Sequence, residues 1–234
     1  MRLRQRAQAA CAVLLVAACT SARAQSPQPL SPQQAAHDFG RWDKDVAAFE
    51  KADSVSPPPA NALLFVGSST IVRWTTLAQD FPSQPVINRG FGGNEIADST
   101  HFADRIIFPY KPRMIFLRAG GNDIHAGKTP EQVFTDFKDF VATVRTKLPT
   151  TDIMFISLSP SIARWDERAA NKKLNALVSN YVKHTPHLKY IDTYTLPLDK
   201  KGQPRPELFV ADKLHFSPEG YKLLIARVRP YIPK

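Results

Sequence analysis

Cysteine is almost absent from this chain of 234 residues, which has only Cys11 and Cys19, both close to the N-terminus. Beyond position 19 the chain therefore forms no disulfide and offers no thiol nucleophile or thiolate metal ligand. It also lacks an H-E-x-x-H sequence and any other histidine and carboxylate spacing typical of a metal site. We expect neither a metal nor another cofactor.

The chain also lacks a hydrophobic run long enough to cross a membrane, since the longest apolar stretch, residues 9–18, is too short. Three arginines precede that stretch within residues 1–6, and Ala22-Arg23-Ala24 follows it as an A-x-A cleavage sequence. These features predict an export signal over residues 1–24. The absence of disulfides beyond it favours a bacterial periplasmic or secreted protein.

A second interpretation of the same segment is a lipoprotein signal. Val16-Ala17-Ala18-Cys19 resembles the sequence that precedes an acylated cysteine. In that case Cys19 would carry a lipid and anchor the protein to the cell envelope.

Neither positive nor negative charge is strongly in excess once the predicted signal is removed. Residues 25–234 contain 27 basic and 21 acidic residues, a net charge of +6 that is scattered along the chain. Without a nucleic-acid-binding motif, this modest excess indicates a solvated surface, and we expect no nucleic-acid partner. The hydrophobic content of 43% is sufficient for one sizeable core.

Short apolar runs alternate with amphipathic segments from residue 60 to the C-terminus, which predicts an α/β domain with a parallel sheet and helices on both faces. Five strands are expected at residues 62–66, 85–88, 113–117, 153–156 and 188–192. Residues 25–59 are predicted to form a polar tether, a bracing helix from Ser31 or Pro32 to about Ala52, and a proline-rich connector.

Residues capable of chemistry follow the predicted strands. Ser69 offers a hydroxyl, Gly93 an unshielded backbone N–H, and Asn122 a side-chain amide. Because the carboxyl ends of parallel strands lie at one edge of the sheet, these loops should be neighbours. Each loop alone could equally be an ordinary turn.

The segment Asp212-Lys213-Leu214-His215 adds a base and a carboxylate that can orient it. A hydrogen bond from His215 Nδ1 to Asp212 would leave Nε2 free to accept the proton of Ser69. An isolated D-x-x-H could also be a surface turn followed by a helix-terminal histidine. The other three loops favour the catalytic interpretation.

Four segments, in this order, resemble the sequence blocks of the SGNH (GDSL-type) hydrolase superfamily: Gly67-Ser68-Ser69, Arg89-Gly90-Phe91-Gly92-Gly93, Gly120-Gly121-Asn122-Asp123 and Asp212-Lys213-Leu214-His215. The resemblance implies a three-layer, flavodoxin-like α/β/α fold over residues 60–234. It also implies Ser69 as nucleophile, Asp212 and His215 as its partners, and an oxyanion hole formed by Ser69, Gly93 and Asn122.

One residue departs from the commonest pattern of that superfamily. Ser68 occupies the position where an aspartate is most frequent, as in a Gly-Ser-Ser branch that carries a tryptophan shortly afterwards, here Trp74. The G-x-S-x-G sequence of α/β-hydrolases is absent because Ile71 stands at its last position.

Four further residues are expected to border the same edge of the sheet, where they could contact substrate: Arg118, His125, Arg164 and Trp165. Alternatively, His125 is a surface residue and Trp165 packs on the helix that follows it.

We therefore expect an exported serine esterase that acts on a small-molecule ester, such as an acetyl group on a carbohydrate or small alcohol. A non-catalytic carbohydrate- or lipid-binding protein of the same fold is one alternative. A flavodoxin-like phosphate- or flavin-binding domain is another, but it gives no role to Asn122 or to the Asp212–His215 spacing.

Overall fold

The computed structural model describes residues 37–233. Its centre is a sheet of five strands: β1 (Leu63–Gly67), β2 (Val86–Gly90), β3 (Met114–Arg118), β4 (Asp152–Ile156) and β5 (Leu188–Ile191). All neighbouring strands are parallel, in the order β2-β1-β3-β4-β5. This order is that of flavodoxin-like folds, and the predicted fold class is confirmed.

Helices connect the strands on both faces of the sheet. They are α1 (Asp43–Val55), α2 (Ser69–Val72), α3 (Leu77–Asp80), α4 (Ile96–His101), α5 (Ala103–Ile106), α6 (Gly121–His125), α7 (Pro130–Lys147), α8 (Arg168–Lys183) and α9 (Pro218–Val228). The N-cap residues Thr129 and Ser217 accept hydrogen bonds from the first turns of α7 and α9, as their Thr-Pro and Ser-Pro sequences indicate.

Alternate residues of the strands enter two different cores. In β1, Leu64 and Val66 face the helices α4, α7 and α8, whereas Leu63 and Phe65 face α2 and α9, and all four are fully buried. Burial on both faces explains why β1, β3 and β4 are nearly continuous apolar runs, whereas the edge strands β2 and β5 include polar residues.

The predicted bracing helix is only partly correct. Residues 31–36 lie outside the described part of the chain, as does the predicted tether at 25–32. Residues 37–39 are not helical, Gly40–Trp42 forms a 3₁₀ turn, and the α-helix begins at Asp43. Glycine is a poor α-helix former, which agrees with a 3₁₀ turn at Gly40 in place of a continuous α-helix. Phe39, Trp42 and Phe49 nevertheless pack against the core beside the buried Val46, as their helical spacing indicated.

Across residues 37–233, no helix is both long and apolar enough to cross a membrane.

The end of β1 lies unusually close to β3. Gly67 has φ of 138°, and a Cβ built on it would lie 2.1 Å from the carbonyl oxygen of Arg118. The backbone N–H of Ser68 donates to that same oxygen at 3.1 Å. Only glycine fits here, and the chain leaves the sheet directly into α2.

Replacement of Gly67 by alanine should therefore be costly. We expect Gly67→Ala to lower the free energy of unfolding by about 3 kcal/mol, because the new methyl group overlaps the β3 backbone and the φ angle disfavours a side chain. Urea denaturation followed by circular dichroism measures this change.

Gly127→Ala is the matched control. Gly127 also has a positive φ, 93°, but nothing lies within 4 Å of its would-be Cβ. Gly127→Ala should lower the free energy of unfolding by only about 1 kcal/mol, because the backbone conformation is its one unfavourable feature. If Gly67→Ala and Gly127→Ala lower the free energy of unfolding equally, the close approach to β3 does not constrain position 67.

Candidate active site

A cavity of about 520 Å³ opens at the carboxyl ends of the strands. Its wall includes Ser69, Gly93, Arg118, Asn122 and His215. The parallel sheet thus brings together the loops that the sequence analysis singled out, at the edge where ligands of such sheets bind.

Ser69 is the first residue of α2, directly after the turn at the end of β1. This short helix is held from two sides: Asn88 Nδ2 of β2 donates to the carbonyl of Ile71 at 2.6 Å, and the Tyr221 hydroxyl of α9 donates to that of Thr70 at 2.8 Å. The Ser69 hydroxyl therefore projects from a fixed backbone into the cavity.

His215 links Ser69 to a carboxylate. Its Nε2 lies 2.9 Å from Ser69 Oγ, and its Nδ1 lies 2.7 Å from Asp212 Oδ2. The His215 side chain is 16% exposed and that of Asp212 is 41% exposed. The imidazole is thus largely enclosed, while the carboxylate behind it contacts solvent.

A tight loop brings Asp212 and His215 together. Lys213 adopts a left-handed conformation with φ of 57°, and its backbone N–H donates to the carbonyl of Val210 at 2.9 Å. The N–H of Val210 in turn donates to the carbonyl of His215 at 2.9 Å. The loop is anchored from outside by Ala163, whose N–H donates to the Lys213 carbonyl at 3.0 Å.

The Asp212 carboxylate accepts several hydrogen bonds within this loop. Its Oδ1 accepts the backbone N–H groups of His215 and Leu214, each at 2.9 Å. The backbone N–H of His215, then its ring and the N–H of Leu214, hold the pKa of Asp212 well below its usual range. Asp212 is therefore an ionised acceptor for Nδ1–H of His215.

Asn122 has a defined amide orientation. Its Oδ1 accepts a hydrogen bond from Arg164 Nη1 at 3.1 Å, and its Nδ2 donates to the carbonyl of Asn94 at 2.9 Å. Since an amide nitrogen carries two N–H groups, one donor is left for a ligand in the cavity. The sequence indicates Arg164 only as a possible substrate contact, because its hydrogen bond to Asn122 depends on tertiary structure and has no local signal.

Gly93 is exposed at the rim of the cavity with φ of 81°. A Cβ at this position would lie 3.1 Å from the ring of Trp42, the last residue of the 3₁₀ turn before α1. Trp42 also contacts Phe91, with ring centroids 5.5 Å apart. A residue well upstream of the motif segments therefore packs on the glycine loop, a contact that the sequence did not indicate.

Asp123, next to Asn122, belongs to a buried charged cluster. It accepts the backbone N–H of Ile96 at 3.2 Å, which ties α6 to the start of α4. Lys128 Nζ lies 2.9 Å from Glu95, 2.8 Å from Asp136 and 3.5 Å from Asp123. Burial raises the pKa of Asp123 to about 7 despite this lysine. These contacts give Asp123 a role in stabilising the loop after β3.

The four additional residues divide into two pairs. Arg118 and Arg164 line the cavity. His125 is 57% exposed and its Nδ1 lies 2.5 Å from Glu167 Oε1. Within the described chain, neither His125 nor Trp165 belongs to the cavity wall, and Trp165 is covered instead by the guanidinium of Arg168 on α8, at 4.7 Å. Cys19 lies outside the described residues.

Several wall residues were not identified from the sequence: Arg73, Leu158, Ser159, Ser161, Glu167 and Asn171. The loop after β4 and the start of α8 supply most of them. Their types are common in any loop or helix start, so only the tertiary structure distinguishes them.

The model of the GDSL-like lipase/acylhydrolase family matches residues 65–223 of the chain. No curated protein matches the sequence significantly. Among solved structures, a candidate platelet activating factor from Streptococcus pneumonia is 19% identical with a TM-score of 0.72, over 82% of this chain and 94% of that one.

Two further solved structures are similar. A GDSL-like lipase from Bacteroides thetaiotaomicron is 17% identical with a TM-score of 0.64, over 83% of this chain and 96% of its own. A mutant of an acetyl-xylooligosaccharide esterase from Geobacillus stearmophilus is 15% identical with a TM-score of 0.60, over 75% and 96%. At these identities the structures show a shared fold, whereas the family match covers most of the chain. The chain belongs to the GDSL-like lipase/acylhydrolase family.

Proposed function

We propose that this protein is an exported serine esterase that hydrolyses carboxylic esters of short acyl groups, with Ser69 as nucleophile and His215 and Asp212 as its partners. The observation that carries the proposal is the continuous contact from Ser69 Oγ through the His215 ring to Asp212, at 2.9 and 2.7 Å. A base hydrogen-bonded to a hydroxyl and oriented by a carboxylate is the arrangement that activates a serine.

In the first half of the reaction, Ser69 Oγ attacks the ester carbonyl carbon and its proton passes to His215 Nε2. The imidazolium is stabilised by the ionised Asp212. Collapse of the tetrahedral intermediate breaks the bond to the alcohol oxygen, which takes the proton from His215. Water then repeats the sequence on the acyl-enzyme and releases the carboxylic acid.

The negative charge on the tetrahedral intermediate needs hydrogen-bond donors. The backbone N–H groups of Ser69 and Gly93 and the free N–H of Asn122 Nδ2 are the donors that we assign to it. Arg164 supports this assignment. Its hydrogen bond to Asn122 Oδ1 fixes the amide so that Oδ1 faces Arg164 and Nδ2 points away from Arg164. Donors held in this way need not reorganise during the reaction.

The size of the cavity favours small substrates. A volume of about 520 Å³ suits a short acyl group with a sugar or another small alcohol. The similarity in fold to an acetyl-xylooligosaccharide esterase agrees with an acetyl ester of a carbohydrate. We place the protein in the bacterial periplasm or outside the cell on the basis of the signal sequence, with lipid anchoring through Cys19 as the alternative.

The nucleophile is tested by comparing two neighbouring serines. Ser69→Ala should lower kcat for p-nitrophenyl acetate on the order of 10⁴-fold or more, because no attacking hydroxyl remains beside His215. Ser68→Ala should lose far less, since Ser68 contributes its backbone N–H to the turn.

Unchanged thermal unfolding would show that both variants are folded. Wild-type turnover by Ser69→Ala would refute the assignment. Carbohydrate or lipid binding by a wild-type protein without any ester hydrolysis would instead favour a non-catalytic role.

The oxyanion hole is tested at Asn122. Asn122→Ala should lower kcat about 100-fold, equivalent to roughly 3 kcal/mol of transition-state stabilisation, with a smaller effect on KM. Asn180→Ala removes an exposed amide of α8 outside the cavity wall and should leave both constants unchanged. A rise in KM without loss of kcat would mean that Asn122 binds the substrate in its ground state instead.

A further inference from the structure

Arg118 is a buried cation at the active-site cavity. It is the last residue of β3, pairs with Gly67 in the register of β1, and is only 6% exposed. Its guanidinium lies 6.0 Å from the ring of Phe216, the residue after His215. Arg118 therefore sits beneath the Ser69 and His215 loops, and its small exposed fraction lies at the cavity.

The hydrogen-bond partners of Arg118 are all neutral. Its Nη1 donates to the carbonyl of Ser157 and to Thr193 Oγ1 at 3.2 Å, and its Nη2 donates to Ser159 Oγ at a long 3.4 Å. Within residues 37–233, no carboxylate lies at salt-bridge distance from Arg118. The guanidinium also has more N–H donors than these acceptors use.

A buried charge without a counterion is unfavourable. Burial lowers the pKa of Arg118 to about 10, yet the group stays protonated near neutral pH. A carboxylate entering the cavity would supply the missing negative charge and match the planar guanidinium.

The remainder of the cavity wall does not supply that charge. Two more arginines line it, Arg73 and Arg164. Arg73 lies 4.0 Å from Asp212, a carboxylate that is already engaged by His215. The hydrogen bonds of Arg164 go to the neutral acceptors Asn122 Oδ1 and the Gly121 carbonyl. Glu167 is the one carboxylate among the described wall residues, and its Oε1 is in contact with His125. Cations thus predominate around the space where a substrate would lie.

We propose that the cavity selects ester substrates that carry a carboxylate in addition to the ester, and that Arg118 is the specificity-determining residue that binds it. This inference rests on the proposed esterase function and narrows its substrate class. The carboxylate could belong to the acyl group or to the alcohol, and both placements can be tested.

Arg118 also connects the ends of β4 and β5 through Ser157 and Thr193, and that connection alone could explain its position. The two roles have different consequences. A purely structural role would affect charged and neutral substrates alike. A binding role changes the ratio of kcat/KM between them.

The experiment uses two pairs of esters in which a carboxylate replaces a methyl group. On the acyl side the pair is the p-nitrophenyl half-ester of glutaric acid and p-nitrophenyl pentanoate. On the alcohol side the pair is 4-carboxyphenyl acetate and 4-methylphenyl acetate. For each pair, kcat/KM is measured with the wild type, Arg118→Met and Arg118→Lys, with Ser69→Ala as the background.

We expect the wild type to favour the charged ester in one pair, and Arg118→Met to reduce that preference on the order of 10- to 100-fold. Arg118→Lys retains the charge and should keep part of the preference. The control Arg168→Met removes an exposed guanidinium outside the cavity wall and should not change the ratio.

If Arg118→Met does not fold, the wild-type preference and its weakening with salt still test the proposal. Hydrolysis of the neutral esters through Ser69 without any preference for a charged one would overturn the role of Arg118 and leave the esterase function intact. If the wild type hydrolyses none of the four esters, both proposals are overturned.

Discussion

The close approach of Gly67 to the backbone of β3 is the constraint on which the site depends. With no side chain at this residue, the end of β1 lies against the Arg118 carbonyl, and Ser68 donates to that oxygen. The next residue, Ser69, is thereby placed at the start of α2, opposite the loop that carries His215. The position of one hydroxyl thus follows from main-chain contacts at the end of the sheet.

The charges around this hydroxyl are compensated unevenly. Asp212 is partly exposed and is stabilised by backbone N–H groups of its own loop as well as by the His215 ring. Arg118 is buried and has only neutral partners within the described chain. In the proposed mechanism the first arrangement stabilises the imidazolium that forms during the reaction, and we propose that a substrate carboxylate completes the second. The proposals thus assign chemistry and selectivity to different side chains around the same serine.

Local patterns predicted the sheet and the residues that follow its strands. Continuous apolar runs mark strands buried on both faces, and parallel topology alone requires their carboxyl ends to meet. The D-x-x-H spacing, taken together with the other three loops, predicted the contact of His215 with Asp212. Contacts between distant elements were not predictable, such as the hydrogen bond from Arg164 to Asn122 or the packing of Trp42 on Gly93. These contacts depend on how the loops fold over the edge of the sheet, and no periodic pattern in the local sequence encodes that arrangement.

The most direct test of the central proposal is covalent labelling with a fluorophosphonate, followed by peptide mass spectrometry. An activated serine attacks phosphorus and displaces fluoride, so one adduct per chain should appear on Ser69, and none on Ser68. Labelling should be lost after denaturation, because the reaction requires His215 in place. An adduct on Ser68, or a folded wild-type protein that does not react, would contradict the assignment of Ser69 as the nucleophile.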